Sequence, residues 1–177
     1  MYVHGYKQRY PFYIVFLSVL HSIGVYFLGS LILYLLFPWL IIPFVFYIIF
    51  LEYRLLRYSC TSCYYFGKTC AFGKGSLSAL FFRKREASEF SEKCISWKHL
   101  APELLLTIVP LFIATYLLIT SFSWIVLISM LLLFLFSSVG NSYIRGQLAC
   151  AHCRQKELGC PAFDLFNKPK SRDNIQY

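Results

Sequence analysis

The sequence predicts an all-α integral membrane protein with four transmembrane helices as two tandem hairpins, each followed by a cytoplasmic C-x2-C-x6-C motif. Three observations carry this expectation. The chain is 58% hydrophobic and only 14% charged, where a soluble domain carries about 25% charged residues. Two long runs, Phe12 to Phe50 and Leu104 to Val139, contain no charged residue. One crossing takes about 20 apolar residues, so each run suits two. Finally, all 17 Lys and Arg residues fall before Pro11, between Phe50 and Leu104, or after Val139.

That last distribution sets orientation. Basic residues stay on the cytoplasmic side, which predicts cytoplasmic termini, a cytoplasmic central loop and two short external turns. Each run then crosses an even number of times. The first run is too long for a cleavable signal peptide and is expected to remain in the mature protein. The net charge of +9 is read as topology-setting charge that also attracts anionic headgroups. No basic stripe stands apart from the membrane flanks, so no nucleic-acid partner is expected.

Along the chain, residues 1–57 form the first hairpin, with helices from Pro11 to Leu36 and from Leu40 to Arg57. Phe37-Pro38-Trp39 makes the turn, since proline lacks the donor that a continuing helix needs. Residues 58–100 form a cysteine-containing loop. Within it, SLSALFFRKRE (76–86) suits a short helix on the membrane surface, with Leu77, Leu80 and Phe81 toward lipid. Residues 101–145 form the second hairpin, from Pro102 to Ile119, a turn near Thr120 to Trp124, and a return to Ile144. Residues 146–177 carry the second cysteine motif and a polar tail. Pro43 and Pro110 are expected to bend their helices rather than end them.

The two thiol motifs are related by a fixed offset. Cys60, Cys63 and Cys70 recur as Cys150, Cys153 and Cys160, each 90 positions later, and Tyr26/Tyr116 and Tyr53/Tyr143 keep the same offset. This predicts a duplicated unit whose copies point the same way, with both motifs on one face. In a reducing compartment, clustered cysteines are metal ligands or redox-active thiols rather than structural disulfides. A C-x2-C turn lets two sulfurs reach one centre, and two such turns supply the four thiolates of a zinc site or an iron–sulfur cluster.

Three arrangements satisfy the spacing: an iron–sulfur cluster on each triplet, one zinc shared by Cys60, Cys63, Cys150 and Cys153, or thiols that shuttle electrons or soft metal ions. The repeated third cysteine favours the first, because a zinc knuckle pair does not need it. Cys160-Pro161 resembles the Cys-Pro that closes ferredoxin-type ligand runs, whereas Cys70 is followed by Ala71. Lys68, Arg154 and Lys156 would stabilise negative clusters and dock an acidic cytoplasmic protein partner.

The remaining candidates are weaker. His21, about ten residues into the first helix, is the one deep ionisable side chain. It is a candidate cofactor contact, for example to a quinone, although a histidine bonded to a neighbouring helix is the plainer expectation. His152 reads as an exposed loop residue and Cys94 as an unliganded loop thiol. Glu52 and Glu103 read as ordinary interface charges. GKTCAFGKGS lacks the glycine spacing of a phosphate loop, and no nucleophile, histidine and carboxylate set suggests hydrolysis. The expected function is a membrane-anchored metal centre for electron transfer. The alternatives are a zinc-stabilised docking subunit and a thiol-based soft-metal carrier.

Overall fold

The computed structural model describes residues 2–3, 6–7, 9–86 and 97–158. Cys94 and Cys160, and most of the polar tail, lie outside the described residues. A two-residue antiparallel pairing, Tyr2–Val3 (β1) with Tyr6–Lys7 (β2), precedes the helices. Beyond it the described chain is mainly helix, turn and loop.

Four helices are long and apolar enough to cross a membrane: Phe12–Leu36, Pro38–Cys60, Ala101–Thr120 and Trp124–Ala149. Helix α1 (Phe12–Leu36) ends where Phe37 turns extended, and its N–H caps back to the Leu33 carbonyl at 3.0 Å. A short 3-10 turn, Pro38–Leu40, leads into α2 (Ile41–Leu55). Pro43 falls in the first turn of α2, where a missing N–H costs nothing. The chain stays helical beyond α2 as a π turn, Leu56–Cys60, which carries it to the first thiol.

After α3 (Lys74–Phe81), helix α4 spans Trp97–Thr120 and runs through both Pro102 and Pro110. It therefore starts five residues before the expected Pro102. Proline favours a first turn but does not forbid an earlier start when only one ladder bond is lost. Ser121–Ser123 make the turn, and α5 (Trp124–Leu135) passes into π geometry at Phe136–Gly140 and Ser142–Ala149. The last crossing thus reaches Ala149, five residues past the expected Ile144, and delivers the chain directly to Cys150.

The bundle centres on α1, which packs against α4 and α5 as well as α2. Its buried residues Ile14, Ser18, Val25, Leu28, Gly29, Ile32 and Leu33 recur at helical spacing. Of these, Val25, Leu28, Ile32 and Leu33 meet Phe44 from α2, Leu106, Ala114 and Leu117 from α4, and Val126 and Leu133 from α5. The outer surface is apolar: Phe12, Phe27, Phe46, Phe112, Ile119 and Trp124 are all well exposed. Only a bilayer makes such a surface inexpensive, because lipid tails solvate it as water cannot.

Without a hydrophobic drive between helices, close packing has to hold them. At Gly29, α1 comes close to both α2 and α4. A Cβ added there would lie 2.9 Å from the Phe44 ring and 3.5 Å from Pro110. Gly29→Val should therefore separate α1 from α2 and α4. It should cost about 1–3 kcal/mol, read as a lowered thermal midpoint in mild detergent.

Candidate metal centre

The five described cysteines sit at one end of the bundle, where two polar loops dock against each other. The first loop is a series of tight turns. Cys63 N–H points to the Cys60 carbonyl at 3.4 Å, Phe66 N–H to Cys63 at 3.0 Å, and Gly73 N–H to Cys70 at 3.1 Å. Gly67 N–H donates to the Gly75 carbonyl at 3.0 Å, which folds the loop back on itself. Gly75 N–H reaches Cys70 Sγ at 3.3 Å, an N–H···S contact of the sort that tunes thiolate centres.

Gly75 is fixed by space. A Cβ there would run into the Tyr65 and Lys68 carbonyls, which are backbone and cannot swing aside. Gly75→Ala should therefore open the loop, and maleimide should label Cys60 and Cys70 several-fold faster than in the parent protein.

The first three thiols share one neighbourhood. Cys60 feels both Cys70 and Cys63 electrostatically, with Lys74 and Glu52 close by. Lys74 Nζ pairs with Glu52 at 2.7 Å, and Tyr26 Oη donates to the same carboxylate at 2.6 Å. Glu52 is thus an engaged ion-pair member, and Glu103 faces Arg145 at 3.6 Å. Among the described residues, no three Cys, His, Asp or Glu side chains are drawn together tightly enough to hold a metal ion.

The second loop makes the same opening turn, with Cys153 N–H to the Cys150 carbonyl at 3.3 Å, and then docks on the first. Tyr64 N–H donates to Gln155 Oε1 at 2.7 Å, and Arg154 N–H donates to Tyr65 Oη at 3.1 Å. These two bonds are reciprocal. Positions 64 and 154, and positions 65 and 155, are each related by the 90-residue offset of the cysteines. Arg154 also donates to Tyr64 Oη at 3.3 Å and lies 5.1 Å from that ring's centre. Lys68 Nζ stands 4.3 Å from the same ring. Two of the cations expected beside the thiols are therefore placed on Tyr64.

A second aromatic pair closes the seam. Tyr10, just before α1, donates to the Ala149 carbonyl at 2.5 Å, while its N–H reaches the Thr69 carbonyl at 3.1 Å. Its ring lies 5.5 Å from that of Tyr65. Together with Ile14, Ala71 and Ala149 these two tyrosines form a small core, against which Cys63, Cys70 and Cys153 pack. Tyr65 thus lies within electrostatic reach of a thiol from each motif, Cys153 and Cys63.

Burial, reinforced by those thiols, pushes the Tyr65 phenol up to about 12, and burial raises Tyr10 as well. A raised tyrosine pKa means that folding favours the neutral phenol. The stabilisation is whole below about pH 10 and is lost as pH climbs through about 12. Absorbance titration at alkaline pH should show Tyr10 and Tyr65 ionising later than an exposed tyrosine, with release of the docked loops over that window. Tyr65→Phe should remove the part of the transition near pH 12.

Two buried atoms at this seam have no hydrogen-bond partner among the described residues. Gln155 is 2% exposed and its Nε2 is unpaired, as is the buried Nδ1 of His152. His152 is therefore half-buried rather than the exposed loop residue that its place between two cysteines suggests. A buried orphan donor costs about 1–3 kcal/mol unless a water or ion satisfies it. His21 lies elsewhere, in α1. Its Nε2 is 2.8 Å from the Phe136 carbonyl, at the first residue of the π turn. This contact ties the His21 ring to the backbone of the last crossing and leaves Nδ1 as the other ring nitrogen.

No protein-family model, curated protein or solved structure matches this chain.

Sequence reading missed Tyr10, Tyr64, Tyr65 and Gln155. The signal was their position: Tyr64-Tyr65 follows Cys63 as Arg154-Gln155 follows Cys153. A comparison by identity passes over such pairs because their chemistry differs.

Proposed function

We propose that this protein is a membrane-anchored metal centre, carrying iron–sulfur clusters at the cytoplasmic face and relaying electrons between a soluble partner and the membrane. The observation that carries this reading is the pair of orphaned polar atoms, Gln155 Nε2 and His152 Nδ1, buried within a cysteine-rich seam. Such atoms fit a site whose bound group supplies hydrogen-bond acceptors or a metal. Cys60, Cys63 and Cys70 would hold one centre, and Cys150, Cys153 and Cys160 the other, with Cys160 lying outside the described residues. Bound clusters would supply one-electron chemistry at potentials set by hydrogen bonds to sulfur and by burial.

The chain's own groups have defined parts. Gly75 N–H donates to Cys70 Sγ, Gln155 Nε2 offers a second donor, and the Tyr10–Tyr65 core keeps water from one side of the thiols. His21 Nδ1 is the nitrogen that would meet a quinone. The repeated third cysteine, which a zinc knuckle pair does not need, favours one centre per triplet over a single zinc spanning both motifs. The reciprocal bonds of the seam support a duplicated hairpin-plus-motif unit, and they already hold the loops together without a bridging ion.

Anaerobic purification in mild detergent, with a visible spectrum and counts of iron, zinc and sulfide, tests the reading. Brown protein with several irons and sulfides per chain is the expected result. Colourless protein with one zinc would make it a docking subunit instead. Gln155→Glu keeps the acceptor for Tyr64 N–H but removes the Nε2 donor. Metal retention should fall by about five- to a hundredfold if that donor serves the centre, and should hold if Gln155 only ties the loops.

A further inference from the structure

A second polar site lies beside the first cysteine turn, where α2, its π turn and the segment after α3 meet. Tyr53, Arg57, Thr61 and residues 82–85 enclose a pocket of about 310 Å³. That volume is at the lower end for small-ligand sites. Arg57, Arg83, Lys84 and Arg85 bring four cationic side chains to it, all on exposed residues. Among the described residues that line it, none is acidic.

The pocket is held open by its own contacts. Arg85 N–H donates to the Thr61 carbonyl at 3.0 Å, pinning the basic segment to the end of the π turn. Phe82 meets the Tyr53 ring edge-on at 5.6 Å and closes the wall. Arg57 donates to Tyr53 Oη at 2.9 Å, which holds its guanidinium over the rim.

Its depth follows from its neighbours. Below it on α2, Phe46, Ile49 and Phe50 are exposed and apolar. Beside it Leu80 and Phe81, 78% and 71% exposed, end α3. Gly75 and Ser78 are the buried residues of that helix, so α3 turns its apolar side outward. The pocket therefore sits where apolar surface gives way to basic surface, at the level of headgroups.

From this geometry we propose that the pocket binds the phosphate of an anionic phospholipid in the leaflet on the thiol side of the membrane. Arg57 and the 83–85 segment take the phosphate, since guanidinium groups match its oxygens two at a time. Leu80 and Phe81 lie along the acyl chains. The apolar flank is what favours a lipid over free phosphate, which would gain nothing from it.

Native mass spectrometry of the detergent-purified protein, with added phosphatidylglycerol or phosphatidylcholine, tests this. The parent protein should retain one phosphatidylglycerol in preference to phosphatidylcholine. R83Q/K84Q should weaken that retention about tenfold, while K7Q/R9Q, which removes equal charge elsewhere, should not. Should the double variant fail to fold, parent protein in about 0.5 M salt gives the second reading, because screening should abolish the preference. Equal retention of both lipids by the parent protein overturns the proposal. So does equal loss in both variants, or displacement of the lipid by inorganic phosphate alone.

Discussion

Two backbone N–H groups, those of Tyr64 and Arg154, hold the polar end of this molecule together. Each belongs to the residue just after a C-x2-C turn, and each donates to a side chain in the opposite motif. A turn exposes such a donor because its chain has no ladder partner, and a buried donor has to find an acceptor. Gln155 and Tyr65 supply those acceptors, one for each motif. If this exchange failed, the loops would part, Tyr10 and Tyr65 would meet water, and Cys63, Cys70 and Cys153 would lose their common surroundings. The helices below would keep their packing, because their contacts lie along α1 and do not pass through the seam.

The bundle and its polar end are therefore stabilised by different physics. In the bundle, lipid tails compete equally well for every Leu and Phe, so cohesion falls to close fits such as Gly29 against Phe44 and to satisfied backbone groups. The π turns belong to this half of the problem. At Phe136 the carbonyl accepts the Asn141 N–H of the π turn and also lies 2.8 Å from His21 Nε2, so a side chain of α1 is tied to the backbone of the last crossing. At the polar end, burial of tyrosine rings does return energy, since those rings leave water. Tyr10 joins the halves: its ring belongs to the seam, while the residue next but one begins α1.

How much could be read in advance follows from the same division. Four apolar crossings were legible because they depend on length and the absence of charge, which hardly vary with context. Their ends were less so. Helix α4 begins at Trp97 because a membrane helix tolerates Pro102 in its interior, and the last crossing reaches Ala149 because π geometry carries a chain with Ser142, Arg145 and Gln147 onward. The exposed apolar face of α3 was legible, since Leu77, Leu80 and Phe81 fall on one side at helical spacing. In the candidate site, cysteine spacing showed where thiols cluster. It could not show that Tyr65 would stand between them, because that depends on a docking between segments about 90 residues apart.

The seam also bears on why the duplicated pattern carries unlike residues at like positions. Two identical loops docked about a twofold axis would set the same residue type at positions 64 and 154, and again at 65 and 155. One kind of side chain would then have to accept both N–H donors. Here one acceptor is the amide oxygen of Gln155 and the other the phenol oxygen of Tyr65. The amide alone brings a second nitrogen donor, Nε2, and that donor is the one left without a partner. The asymmetry thus places hydrogen-bonding capacity on the second motif that the first does not have. If each motif holds its own centre, the two would feel different surroundings even with equal ligands, because donors to sulfur and burial set such potentials. Two such centres at unequal potentials would favour one direction of electron transfer between them.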